Sequence, residues 1–335
     1  MTRTVALAPA RLAALVRDVF TRHGMSTEQA ALVADALVWA EMRGMDTHGV
    51  MRAPRYVDLI RKGDLNPRPA IKRSVDMPAA VVLDCDRAAG AVAMMQAVRA
   101  ACDKARNAGA GLAFAKATTH TGALGYYTQS AAREGFAAIA LAASVPLMAY
   151  HGTRAAAVGT APLSIAVPGE DEPLALDMAS SLISMGALMR ARATGTPIAE
   201  GAALAADGTP TSEARKAAIP LPLGGPKGSG FALMIECLAS LLTGNPILAE
   251  ALEGRGRHKQ NGLVIAIDVQ RFVPRDVFRR EVERLVRALR ALPADGEILM
   301  PGERGARNAK RNRDALEIDA EVYAELSALN SGSAQ

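Results

Sequence analysis

Five histidines, His23, His48, His120, His151 and His258, are the side chains of this 335-residue chain best suited to moving a proton near neutral pH. His48 stands in Asp46-Thr47-His48-Gly49, and Arg52 follows four residues later. A proton donor beside a carboxylate-binding guanidinium is what reduction of a 2-oxo acid requires. Hydride comes from a cofactor, the oxygen takes a proton, and the acid group is held bidentately. Asp46 is near enough in sequence to orient the imidazole or raise its pKa. The same residues also suit a helix-joining loop with Asp as a cap and His as a polar surface group.

Two further segments could hold an anion. Thr119-His120-Thr121-Gly122 lies between a strand-like run and a helical one, where backbone N–H groups can bind a phosphate or carboxylate. A plain helix cap is the alternative. Gly224-Gly225-Pro226-Lys227-Gly228-Ser229-Gly230 opens an apolar helical stretch. Its glycines permit close backbone approach, and Lys227 adds a point charge. A flexible loop is the alternative there. Several familiar signatures are missing from the sequence. There is no G-x-G-x-x-G after a strand, no P-loop, no H-E-x-x-H, no C-x-x-C and no G-x-S-x-G. No metal site is expected.

The elements that must position these residues can be outlined. Leu7, Leu12, Leu15, Val16, Val19 and Phe20 recur at helical spacing, and that helix ends near Gly24. Ser26 and Gln29 have the form of a capping box for a helix running to about Arg43. Pro54 suits the first turn of a third helix, 54–62. Strand-like runs follow at 79–85, 109–117, 136–144, 162–168, 174–178 and 262–269, with helical stretches at 90–107, 123–134 and 227–243. After residue 275 the pattern is helical again and ends in 319–329. Strands and helices do not alternate evenly, which argues against a doubly wound parallel sheet. The expectation is α+β: residues 76–275 as a mixed, largely antiparallel sheet domain with helices, and 1–75 and 276–335 packing together as a helical domain.

Composition narrows the setting. Half the residues are hydrophobic and 22% charged, which suits a packed core, while aromatics at 4% mean it must be filled mainly by aliphatics. The net charge is +5, but 39 basic residues face 34 acidic ones, so a nucleic-acid partner is not expected. Arg304, Arg307, Lys310, Arg311 and Arg313 form the one basic cluster, suited to a solvated helix face or an anionic cofactor. Cys85, Cys102 and Cys237 are too few and scattered for a disulfide framework or zinc site. The longest apolar run, Phe136 to Tyr150, contains Pro146 and is too short to span a bilayer. A cytoplasmic protein without a membrane partner is expected.

Taken together, several stretches resemble the malate/L-lactate dehydrogenase family of the non-Rossmann type. They are Arg43 through Arg52, His120 through Tyr127, Gly159 through Ala166, Leu176 through Ala179, Gly224 through Gly230 and Pro301 through Arg304. The resemblance spans nearly the whole chain. It implies a mixed sheet that binds NAD or NADP without a Rossmann motif, a helical domain from the chain ends, and a homodimer with the active site near the subunit interface. The implied substrate is a small carboxylic acid, either a 2-oxo/2-hydroxy acid or a cyclic imino acid. A cofactor-binding homologue with weak catalysis is a further alternative. His48 matches the proton donor/acceptor, with Arg52 and His120 lining the substrate site. Ser144, Asp177, Met178, Ala179, Lys227, Gly228, Gly302, Glu303 and Arg304 match cofactor-contacting positions. Departures from the family pattern are Thr47 for Ser, Ala161 for the Asn of Gly-Thr-Asn-Pro, Ala187 for a frequent Lys, and Thr121 for an aromatic. The last is expected to enlarge or rehydrate the pocket.

Overall fold

The structure is a computed structural model describing residues 3–255 and 259–332, so His258 lies outside the described residues. The chain opens with β1 (Thr4–Leu7), α1 (Pro9–Arg22), α2 (Thr27–Met42) and α3 (Ala53–Arg61). Ser26 caps α2 through its side chain, which accepts from the Gln29 N–H. Leu7 was expected on the first helix. It ends a strand instead, because β1 pairs antiparallel with a segment from the far end of the chain.

The middle supplies β2 (Lys72–Asp76), β3 (Ala80–Asp84), α4 (Gly90–Ala108), β4 (Ala110–Thr118), α5 (Gly125–Arg133) and β5 (Phe136–Ser144). It continues through β6 (Met148–Ala149), β7 (Ala156–Val158), β8 (Leu163–Val167), β9 (Leu174–Met178) and α6 (Met185–Thr194). Next come β10 (Ala203–Ala205), β11 (Pro210–Thr211), β12 (Ala217–Pro220), α7 (Pro226–Ala239), α8 (Leu248–Leu252) and β13 (Gln260–Asp268). The chain closes with α9 (Arg275–Arg290), α10 (Glu303–Arg311), β14 (Leu316–Asp319) and α11 (Ala320–Ser331).

Seven strands form the main sheet in the order β2-β3-β4-β13-β5-β8-β9. Only the β3–β4 neighbours are parallel, joined by the α4 crossover that a parallel pair needs, and the others are antiparallel. The sheet is therefore mixed and largely antiparallel, the expected α+β class. Helices α4 and α5 cover one face through Met94, Val98, Tyr127, Phe136 and Val264. Helix α7 covers part of the other through Ile235, packed with Phe114 and Leu263. Aromatics are scarce, so alanines fill much of this core and bring helix and strand backbones close together.

Both chain ends share one core, in which Leu12, Val16 and Phe20 meet Leu316, Ile318, Leu326 and Leu329. The pairing Val5↔Ile318 ties them together. Strand β2 begins at Lys72, inside the segment expected to be helical, and its charged residues suit a sheet edge. At the other edge, the Ala175 N–H of β9 donates to the Pro301 carbonyl.

The close packing of α4 on β4 is testable at Gly111, where an added Cβ would lie 2.1 Å from the Ala101 carbonyl oxygen and 2.8 Å from the Ala105 nitrogen. Both obstacles are backbone and cannot swing aside. Gly111→Ala is expected to destabilise the fold by about 1–3 kcal/mol, read as a lower Tm in calorimetry. An unchanged Tm would show that α4 rides more loosely on the sheet.

Candidate active site

Between α2 and α3 the chain makes two successive 3₁₀ turns, Asp46–His48 and Val50–Arg52, hinged at Gly49. These put His48 and Arg52 on one short structure, and the Arg52 Nε–H donates to the Thr47 carbonyl at 2.5 Å. From the sheet, the loop after β4 brings in His120. Gly90 at the start of α4 lets that loop approach, since a Cβ there would sit 2.1 Å from the His120 carbonyl oxygen. The two imidazoles stack with ring centroids 5.7 Å apart and planes 28° apart. Residues 72 positions apart in sequence thus form one site.

Its electrostatics follow from enclosure. Burial, then the Arg52 charge, pushes the His48 imidazole down to about 4. His120 falls to about 3 for the same two reasons, with His48 adding a third. Both rings are therefore neutral at physiological pH. Tyr56 of α3 lies 2.6 Å from His120 Nδ1, and burial pushes its phenol up. Its hydroxyl has no other partner among the described residues. A phenol donating to Nδ1 leaves the proton of His120 on Nε2, the tautomer suited to donating into the site. Sequence reading missed Tyr56. The available signal was its four-residue spacing from Arg52, which places both on one helical face.

Asp46 behaves differently from expectation. Its exposed carboxylate faces Arg190 of α6 at 3.7 Å and makes no contact with His48. The group beside His48 Nδ1 is the Thr47 hydroxyl, at 3.4 Å. Across from this turn, Gly186 at the start of α6 lies against Thr47. Thr121 turns toward the start of β13. Its N–H and hydroxyl both donate to Gln260 Oε1, at 2.9 and 3.2 Å. The cavity lined by His48, Tyr56, His120, Thr121 and Tyr127 encloses about 10 Å³, one water's worth of space.

Several of the expected cofactor positions fall at the ends of β5 and β9 and at the start of α7. Ser144 ends β5, and Gly159 packs on it, since a Cβ there would lie 2.7 Å from Ser144 Oγ. The Ser180 N–H donates to the Thr160 carbonyl, and the Leu223 N–H to the Ser180 carbonyl. This chain of contacts joins Ser144, the Asp177-Met178-Ala179 end of β9 and the loop before α7. Asp177 is exposed as a residue at the end of β9, yet partial desolvation of its carboxyl pushes it up to about 6 although the Gly125 N–H, 2.8 Å away, favours the charged form. Gly224 and Gly225 both have φ of +60°, outside the range comfortable for other residues, and Gly225 is the N-cap of α7. Lys227 is exposed in the first turn of that helix, and Gly228 is buried against Ser180 and Leu223. Glycines at such angles before a 14-residue helix, with an exposed ammonium, could hold the phosphates of a dinucleotide.

Gly302, at φ +84°, abuts Ala175 of β9 and so joins this edge. Arg304 is exposed beside it. Glu303 is committed to its own chain. It accepts from the Met300 N–H at 2.9 Å and pairs with Arg290 and Arg307, which together hold its carboxyl down at about 2. Ala161, where the family has Asn, adopts φ +36°, a region Asn tolerates better than Ala. Ala187 is exposed on α6.

Fold and site define a nicotinamide-type oxidoreductase without a Rossmann motif. The model of the malate/L-lactate dehydrogenase family matches residues 7–327, and the chain belongs to that family. It is similar to L-sulfolactate dehydrogenase of Methanocaldococcus jannaschii, with 35% identity over 93% of this chain and 92% of that one. The solved structure of that enzyme aligns with a TM-score of 0.87 at 34% identity, over 98% of this chain and 97% of the other. Ureidoglycolate dehydrogenase (NAD(+)) of Escherichia coli is 32% identical over 92% and 91% of the two chains. A Δ1-pyrroline-2-carboxylate/Δ1-piperideine-2-carboxylate reductase of Pseudomonas putida is 32% identical over 72% and 73%.

The depressed imidazoles have a measurable consequence. The unfolded chain takes up protons near the ordinary histidine pKa of 6.5, whereas folded His48 waits until about 4. Stability contributed by His48 is thus lost as pH falls through that window. Glu41, raised to about 7, and Asp177 act in the opposite sense, so the readout is a difference. In His48→Asn, the change in Tm between pH 6.5 and 4 is expected to be less negative than in wild type. Identical changes would mean that His48 is solvated like a free imidazole.

Proposed function

We propose that this protein is an NAD- or NADP-dependent oxidoreductase that interconverts a small 2-oxo acid and the matching 2-hydroxy acid. The observation that carries the reading is the stacked His48–His120 pair beside the Arg52 guanidinium. Arg52 takes the substrate carboxylate in charge-assisted hydrogen bonds. His120 Nε2–H donates to the reacting oxygen, and His48 exchanges the proton with it. Neutral His48 is ready to accept the proton of a hydroxy acid. For reduction, the arriving carboxylate offsets the Arg52 charge and makes a protonated His48 easier to form. A nicotinamide held on the cofactor side would supply or take the hydride. Ser144, Asp177, Met178, Ala179, Lys227, Gly228, Gly302 and Arg304 form the cofactor side, while Glu303 supports α10 and Asp46 holds α6. In this division of labour, residues 1–75 and 276–335 present the acid-handling turn and add Gly302 and Arg304 to the cofactor side, while residues 76–275 supply His120 and the rest of the cofactor side.

A second reading is reduction of a cyclic C=N bond beside a carboxylate. It is supported by the pyrroline/piperideine carboxylate reductase relative, and it needs the same guanidinium, imidazoles and hydride donor.

The protein also works as a homodimer in this account. Helix α7 turns Phe231, Met234 and Leu238 outward and the 3₁₀ turn after it Leu241 and Leu242, with Met234 55% and Leu242 67% exposed. Beside it on the same sheet face, the register aligns Leu112, Ile265, Ile139, Ile165 and Leu176 in one row across β4, β13, β5, β8 and β9. Apolar surface of that extent marks an interface. No helix among the described residues is long and apolar enough to cross a membrane, and a cytoplasmic setting is the one proposed.

With the best acid found, His48→Ala is expected to lower kcat about 10²–10⁴-fold, the span of a lost general acid–base group, while cofactor affinity stays unchanged. Arg52→Ala is expected mainly to raise KM for the acid. Wild-type turnover in His48→Ala would remove that residue from the proton transfer. Light scattering should give a dimer mass at low protein concentration, and a stable, active monomer would defeat the dimer.

A further inference from the structure

Glu41 is a buried acid in the last turn of α2, only 8% exposed, and no cation is paired with it among the described residues. Placing a carboxyl there is costly. Its one strong contact is from Oε2 to the Val50 N–H, at 2.8 Å. That N–H is the first of the second 3₁₀ turn, whose own carbonyls begin bonding only at the Arg52 N–H, which donates to the Gly49 carbonyl. Left alone it would be an orphaned buried donor. Gly49 completes the arrangement, because a Cβ at that position would lie 1.9 Å from Glu41 Oε2. Val50 stands midway between His48 and Arg52, so one carboxyl oxygen pins the turn from behind, at the point that sets both side chains.

We infer that Glu41 is a positioning residue for the reaction: its carboxyl acceptor, seated against Gly49 and capping the Val50 N–H, holds His48 and Arg52 in register. Acceptor geometry matters here more than full charge. Burial, opposed by the Val50 N–H and reinforced by Asp46, raises the Glu41 carboxyl to about 7, so both protonation states are populated near neutrality. Both states retain an oxygen able to accept. The amide oxygen of glutamine can do the same, whereas alanine cannot.

The inference rests on the oxidoreductase reading, so its test carries one readout that needs no turnover. Wild type, Glu41→Gln, Glu41→Ala and Gly49→Ala would be compared in kcat and KM on the best acid, in cofactor affinity, and in the NMR signals of the His48 and His120 rings. Glu41→Ala and Gly49→Ala are expected to lose about 10–100-fold in kcat, the scale of an ångström-sized misplacement. Their cofactor affinity should hold, and the His48 ring signal should move toward that of a solvated imidazole. Glu41→Gln should stay within about threefold of wild type with its ring signals in place, a rescue that follows from the retained acceptor. Unchanged kcat and ring signals in Glu41→Ala would overturn the inference, as would a folded Glu41→Gln as impaired as Glu41→Ala. If wild type turns over no acid, the oxidoreductase reading fails, while the ring signals still decide whether Glu41 positions His48.

Discussion

Two imidazoles lie face to face beside a guanidinium at least cost when both rings are neutral, each with a single ring proton. His48 and His120 meet that condition because the chain encloses them, and the penalty for charging either ring in that enclosure falls on top of repulsion from Arg52. The rest of the site adapts to this constraint. Tyr56 engages His120 through Nδ1. The Thr47 carbonyl engages Arg52, and the Glu41 carboxyl steadies the turn from below. In the proposed reading an anionic acid is the charge partner of this cluster, which would couple substrate binding to proton affinity.

The architecture explains how such a pair is assembled. His48 belongs to a turn held by helices at both chain ends, whereas His120 belongs to a loop leaving the central sheet. They meet because β1 and β14 fasten the chain ends together, and because α10 ties the same unit to the turn: Asn308 donates to the Arg43 carbonyl. Gly90 and Gly125 then let the sheet side come close. A Cβ at Gly125 would lie 2.9 Å from the Asp177 carboxyl and 3.2 Å from Trp39. Helix α6 closes a third side through Gly186 and Arg190.

Much of this was legible in the residues. Strands of the main sheet show as apolar runs because they are buried on one or both faces, and the observed 136–144 and 174–178 spans coincide with the expected ones. Ser26 announced its helix. What escaped notice lacked such a signal. Strand β2 is fully exposed and charged, and the small β10-β11-β12 sheet is too short for periodicity to show. Leu7 satisfied a helical pattern by coincidence, since only its partner at Leu316, over 300 residues away, makes it a strand. In the site, His48, Arg52 and His120 could be named from type and spacing. The direction of a side chain could not, and so Asp46 was assigned to His48 although it faces Arg190. Glu41 and Tyr56 look like ordinary helix residues until the turn and the loop are folded against them.

The central claim is hydride transfer to the carbon beside a carboxylate. It is tested most directly by incubating the protein with NADH or NADPH deuterated at the transferring position, together with a panel of 2-oxo acids and cyclic 2-imino acids, and reading the products by NMR. The account predicts deuterium bound to the carbon next to the carboxylate in at least one acid, with the new hydroxyl or amine proton drawn from the medium. If wild-type protein that binds the cofactor transfers deuterium to no acid in the panel, the account is contradicted.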